Sequence, residues 1–109
     1  MIRHVVLYTY RKDIPEIEII KIYKKLGEIC KRLPGQLNYT WGKCDPGDGL
    51  GLNHGYTHSL VTDFVDTAGQ QAFMNDPERV ALSKNEVVPR MVNGIESIVS
   101  FDFVWNSDL

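Results

Sequence analysis

The chain has 109 residues, 43% of them hydrophobic and 24% charged, which fits one globular domain over residues 1–109 and excludes a disordered or fibrous polypeptide. Twelve basic residues against fourteen acidic ones leave a formal net charge of -2, so there is no general electrostatic reason to bind nucleic acid. No run approaches the ~20 apolar residues that span a bilayer, and residues 1–7 lack the long apolar core of a signal peptide, so a cytoplasmic protein with no membrane partner is expected.

Residues 2–10 alternate, with His4, Val6, Tyr8 and Tyr10 on one face and Arg3, Val5, Leu7 and Thr9 on the other. Aromatic and β-branched residues at period two predict a strand. Asp13, Ile14, Pro15 and Glu16 predict a helix start, with Asp13 as the cap and Pro15 in the first turn. Ile19, Ile22, Tyr23, Leu26, Ile29, Cys30 and Leu33 follow at helical spacing, an amphipathic helix of about five turns whose lysines are mostly solvated. Leu33, Pro34 and Gly35 end it.

Residues 38–43 predict a second strand. Residues 45–55 hold four glycines and a proline, an irregular loop that is either a lid or an ordinary connector. The third strand is expected over residues 56–64, with Tyr56, His58, Leu60, Thr62 and Phe64 on one face. A short helix from Asp66 or Thr67 runs through Phe73 and Met74, and Asn75, Asp76 and Pro77 interrupt it. Residues 78–91 predict more helix, broken at Pro89. Residues 95–105 predict the last strand, with Val99, Phe101, Phe103 and Trp105 on one face.

The order β-α-β-β-α-β is the ferredoxin-like pattern of the α+β class. Its helices cover one sheet face, and the other still carries large side chains. A chain this short has nothing left to cover them, so a homodimer with two sheets face to face is expected. Cys30 and Cys44 form no CxxC pair and are read as reduced thiols.

His4 and His58 carry the chemical case, because imidazole titrates near neutrality and can take or give a proton. The first and third strands pair directly in this topology. If their faces line one cleft, the two rings meet there as the catalytic pair. The opposing reading makes each a hydrogen-bonded core histidine. A metal site would need a third ligand, and the only other histidine is His54, so no metal is assigned. Tyr8, Tyr10, Tyr39 and Tyr56 offer phenol donors, and Trp41 and Trp105 offer apolar surface, though packing accounts for most of them. Asp102, opposite in face to Phe101 and Phe103, either orients a histidine or makes a surface or dimer contact. Arg79 and Lys43 either attract a carboxylate ligand or are ordinary exposed charges, which is the commoner case.

Four segments carry a family resemblance: residues 2–7 with His4, the Trp41-Gly42-Lys43 strand, Gly55-Tyr56-Thr57-His58 after the glycine-rich loop, and Ser100-Phe101-Asp102-Phe103. In this order, over almost the whole chain, they resemble the stress-responsive dimeric α/β-barrel (Dabb) family. The resemblance implies the dimeric barrel. Through the family's olivetolic acid cyclase type of enzyme, it also implies acid–base chemistry without a metal or organic cofactor, at His4 and His58. That cyclase type has a tyrosine and a later histidine where this chain reads Phe73 and Arg79, so its tyrosine–histidine pair is not carried over. Residues 66–91 contain no histidine to serve a haem-degrading member of similar shape.

The reading is a cofactor-independent acid–base enzyme of lyase, cyclase or isomerase type. It acts on a small carbonyl, phenolic or polyketide-like compound in a histidine-lined apolar pocket. Tyr8, Tyr10, Tyr56, Trp41, Phe73 and Arg79 are the expected substrate-binding residues. The alternative is a non-catalytic, stress-responsive or small-ligand-binding dimeric barrel.

Overall fold

The computed structural model describes residues 1–47 and 49–105, so Asp48 of the expected loop and the last four residues of the expected domain lie outside it. Four antiparallel strands, β1 (Ile2–Tyr8), β2 (Gln36–Lys43), β3 (His58–Phe64) and β4 (Ile98–Val104), form one sheet in the order β2-β3-β1-β4. Helices α1 (Glu16–Arg32), α2 (Thr67–Met74) and α3 (Pro77–Leu82) complete a ferredoxin-like α+β fold.

The alternation in β1 sets the inside and outside of the sheet. His4, Val6 and Tyr8 are buried, while Arg3, Val5 and Leu7 are half-buried. The strand ends at Tyr8, but Tyr10 keeps its place on the buried face through an isolated bridge to Met91. Helix α1 buries Ile19, Ile22, Tyr23, Leu26, Ile29 and Cys30, the apolar stripe of the sequence. Asp13 does not cap this helix. Its carboxylate accepts from Arg11 Nε at 3.0 Å, and Pro15 occupies the N-cap with no side-chain bond. Both later helices have side-chain caps: Asp66 accepts from the Gly69 N–H and Asp76 from the Arg79 N–H. Gly35, at φ +79°, turns the chain after α1 and lies against Gly69, whose Cα would be 2.9 Å from any Cβ placed there.

Strand β3 starts at His58, two residues later than expected, and three further elements differ from the sequence reading. The helical stretch after Pro77 is not one broken α-helix. It passes through a π-helical turn at Ser83–Val87 and a 3₁₀ turn at Val88–Arg90, where Pro89, lacking an N–H, fits the first turn. The last strand starts at Ile98, because Gly94, at φ +58°, opens a 3₁₀ turn over Gly94–Ser97. Strand β2 starts earlier, at Gln36, with a register shift between Gln36 and Asn38.

The face away from the helices is open in the single chain. Cross-strand pairs Val5↔Phe101 and Leu7↔Val99 put these side chains together on it, and Phe101 is 64% exposed. A polar strip closes one end of that face. Arg3 makes two bonds to Asp63, at 2.8 and 2.9 Å, and Asn38 Nδ2 donates to the same carboxylate at 2.9 Å. The Arg3 guanidinium also lies over the Trp105 ring at 4.9 Å. Cys30 and Cys44 are free thiols.

The Arg3 hydrogen bonds hold the Asp63 carboxyl below the usual carboxylate range, with help from Asn38. A lowered carboxyl pKa contributes stability above the unfolded value of about 3.9 and loses it as pH falls through the lower folded value. Asp63→Asn is therefore expected to reduce stability at pH 7, with the gap to wild type closing as pH drops through the acid range. Denaturant midpoints from pH 7 to pH 2 measure it, and a gap that stays constant across that range contradicts the assignment.

Candidate active site

His4 and Asp102 face each other across the β1–β4 ladder, on the helix side of the sheet. His4 Nδ1 lies 2.5 Å from Asp102 Oδ1, and Gln70 Nε2 of α2 donates to Asp102 Oδ2 at 2.6 Å. A carboxylate accepts only, so His4 carries its proton on Nδ1 when neutral, and Nε2 is left with a free lone pair. His4 is 4% exposed and lines a cavity of about 230 Å³. Val6, Leu26, Leu60, Phe73, Leu82, Val87 and Ile98 give this cavity its apolar wall, and Tyr8 and Arg79 add polar groups. Phe73 stands edge-on to the imidazole, with centroids 5.5 Å apart. Burial, opposed only in part by Arg79, raises the Tyr8 pKa well above its ordinary value. The phenol is therefore a hydrogen-bond donor at neutral pH and not a base.

The two catalytic candidates are not brought together. His4 pairs with Thr62, and His58 with Tyr8, four residues further along β1. At a strand rise of about 3.4 Å per residue they are roughly 14 Å apart along the sheet. The buried pair Val6↔Leu60 lies between them. Both His58 nitrogens are occupied, Nδ1 with Thr57 Oγ1 and Nε2 with Glu16 Oε1, each at 2.8 Å. Around it stand Tyr10, with ring centroids 5.0 Å away, and Tyr23, which stacks on Trp41 at 5.1 Å. The Tyr10 hydroxyl donates to that of Tyr23 at 3.0 Å, and burial pushes the Tyr10 phenol up to about 12. Tyr39 donates to the Tyr23 carbonyl at 2.9 Å.

Of the expected binding residues, Tyr8, Phe73 and Arg79 line the His4 cavity. Tyr10 and Trp41 belong to the aromatic cluster at the His58 end. Tyr56 lines a different hollow, of about 400 Å³, together with His58, Leu7, Lys43, Cys44, Leu52 and His54. The described part of the glycine-rich loop thus lies beside the open sheet face and not over His4. Sequence reasoning did not find Gln70. The available signal was its spacing of three from Phe73, which puts both on one side of α2. Among the described residues, no group of three or more His, Cys, Asp or Glu side chains is arranged to hold a metal, and no helix is long and apolar enough to cross a membrane.

A ferredoxin-like sheet with a buried, carboxylate-oriented histidine at an apolar cavity defines the class. The chain matches the Stress responsive A/B Barrel Domain over residues 2–105 and belongs to that family. A comparison with curated proteins gives no match. Among solved structures, a dimeric ferredoxin-like protein of unknown function from Jannaschia sp. is 18% identical with a TM-score of 0.84, covering 95% of this chain and 98% of that one. The hydroxynitrile lyase of Passiflora edulis is 23% identical with a TM-score of 0.79, covering 97% and 94%. SnoaB, a cofactor-independent oxygenase from Streptomyces nogalater, is 10% identical with a TM-score of 0.74, covering 97% and 93%. At these identities they share the fold with this chain.

The Asp102 contact predicts the His4 tautomer. In 15N-labelled protein, neutral His4 is expected with its proton on Nδ1, and Asp102→Ala is expected to shift the proton toward Nε2. An unchanged Nδ1–H population in the variant contradicts the assignment.

Proposed function

We propose that this chain is a cofactor-independent acid–base enzyme of the lyase, cyclase or isomerase type, acting as a homodimer on a small carbonyl or phenolic compound. The single observation that carries the reading is His4, held through Nδ1 by Asp102 while lining the apolar cavity. A base whose proton-bearing side is fixed presents the other nitrogen without reorganisation when the substrate arrives. Nε2 takes a proton from a carbon beside a carbonyl, or from a hydroxyl. The Tyr8 phenol and the Arg79 guanidinium donate to the oxygen on which negative charge develops or remains. His58, tied at both nitrogens, braces the aromatic cluster and is a positioning residue. Among similar folds, the hydroxynitrile lyase supports a lyase reaction and the cofactor-independent oxygenase supports chemistry without a bound group. A polyketide-like substrate remains within the reading, although Phe73 supplies no hydroxyl to it.

The dimer rests on the open face. Val5, Leu7, Val99, Phe101 and Phe103 form an apolar surface that water solvates poorly, and three similar structures are of proteins described as dimeric. Two copies placed face to face bury it on both sides.

Two probes test the chemistry: cleavage of mandelonitrile to benzaldehyde and cyanide, and exchange of the α-protons of acetophenone in deuterated water. His4→Ala is expected to lower the rate on the responsive probe by about 10²–10⁴-fold. His58→Gln is expected to act mainly through stability. A His4→Ala protein with wild-type rates overturns the mechanism, and a wild-type protein inert toward both probes favours the non-catalytic ligand-binding alternative. For the dimer, light scattering is expected to give twice the 12.4 kDa chain mass at micromolar concentration. Phe101→Asp, which would bury a carboxylate in the interface, should give the single-chain mass. A wild-type monomer contradicts the proposal.

A further inference from the structure

The five arginines of the chain divide into four and one. Arg3 holds Asp63, Arg11 holds Asp13, Arg32 holds Asp76 and Glu78, and Arg90 holds Glu18 and Glu86. Arg79 has no carboxylate partner among the described residues. Yet it is half-buried and lines the His4 cavity. Its two nearest acids in sequence, Glu78 and Asp76, are both already committed to Arg32. Both Asp76 oxygens take Arg32, at 2.9 and 2.8 Å, and Oδ2 also accepts the Arg79 backbone N–H at 3.0 Å. The Arg79 side chain is left with one hydrogen bond, from Nη2 to the Met74 carbonyl at 3.0 Å, and a face contact to Phe73 at 5.2 Å. Its Nε is buried with no acceptor among the described residues.

Guanidinium has five N–H donors and stays charged at physiological pH. An unpaired buried cation costs free energy, and a planar carboxylate matches its geometry. Burial lowers the Arg79 pKa, as expected of a cation without its anion. The His4 imidazole and the Arg79 guanidinium both contact the Phe73 ring, at 5.5 and 5.2 Å, so their separation is at most the sum of those two distances. One small molecule spans that gap. An apolar cavity of about 150 Å³ takes benzene, so 230 Å³ has room for a ring with a short side chain.

We propose that the ligand of the His4 cavity is a small aromatic or branched monocarboxylate, its carboxylate held by Arg79, its body against Phe73 and its reactive end at His4 Nε2. The assignment deepens the acid–base reading of the same cavity. It also stands apart from it, because anion recognition is read at equilibrium without turnover. Arg79 is the specificity-determining residue: it selects acids over their neutral isosteres.

The probes are cinnamate and cinnamamide, which have nearly the same shape and differ in charge. Titration calorimetry on the intact protein at pH 7 is expected to show cinnamate binding at least tenfold more tightly than cinnamamide. Arg79→Gln is expected to abolish that preference, Arg79→Lys to keep part of it, and His4→Gln to leave it in place. Equal binding of the two probes by the wild type overturns the proposal. So does an undiminished preference in a folded Arg79→Gln protein, or no binding of either probe at millimolar concentration. If Arg79→Gln does not fold, the wild-type comparison and Arg79→Lys carry the test. A preserved carboxylate preference with no turnover of any probe contradicts only the catalytic reading, whereas turnover without the preference contradicts only this one.

Discussion

A sheet covered by helices on one side must pair every polar group it turns inward, because an unsatisfied buried donor or acceptor costs about 1–3 kcal/mol. The imidazole of His4 is such a group, and its partner comes from the adjacent strand. Asp102 sits directly opposite on β4, and Gln70 comes down from α2 to hold the second carboxylate oxygen. These three side chains tie the sheet edge to the helix above it. One contact therefore settles two matters. It satisfies the inward polar groups of β1 and β4, and it leaves Nε2 as the one imidazole nitrogen available to a ligand.

The covered face is divided along its length by Val6 and Leu60. At one end Tyr10, Tyr23, Trp41 and His58 are joined by ring contacts and closed hydrogen bonds. At the other end the same sheet leaves a cavity, walled by aliphatic side chains and carrying His4 and Arg79. The His58 end has no free polar valence on its histidine. The hollow end has one on the imidazole and an arginine without its anion. The contrast in satisfaction, more than the identity of the residues, distinguishes a packed core from a site. Aromatic neighbours do not separate the two, since His4 has Phe64 and Phe73 beside it as His58 has its tyrosines.

Much of this was legible in the alternation of residues 2–10 and 56–64, which put His4 and His58 on the covered face, and in the stripe from Ile19 to Cys30 that fixed α1. Element order then fixed which strands pair. Register was not legible. Whether His4 lies beside His58 or four residues away depends on how β1 slides against β3, and an alternating pattern is equally satisfied at every even offset. That offset is what separates the two histidines. The Asp13 cap failed for a different reason, since a neighbouring arginine competes for the same carboxylate. Ile95 falls on the period-two face of Val99, Phe101, Phe103 and Trp105 and so reads as the start of β4, while Gly94 at positive φ starts a turn instead. The unpaired state of Arg79 also needed the structure, because it follows from Arg32, far away in sequence, occupying Asp76.

The central claim is that the Asp102–His4 pair aims one imidazole nitrogen into the cavity for a ligand. A crystal structure of the protein with 4-hydroxybenzaldehyde tests it most directly. The account predicts the ring inside the cavity against Phe73, an oxygen of the ligand within about 3.2 Å of His4 Nε2, and Nδ1 still on Asp102. A ligand seated instead at the His58 end, or a His4 ring turned so that Nε2 meets Asp102, would contradict it.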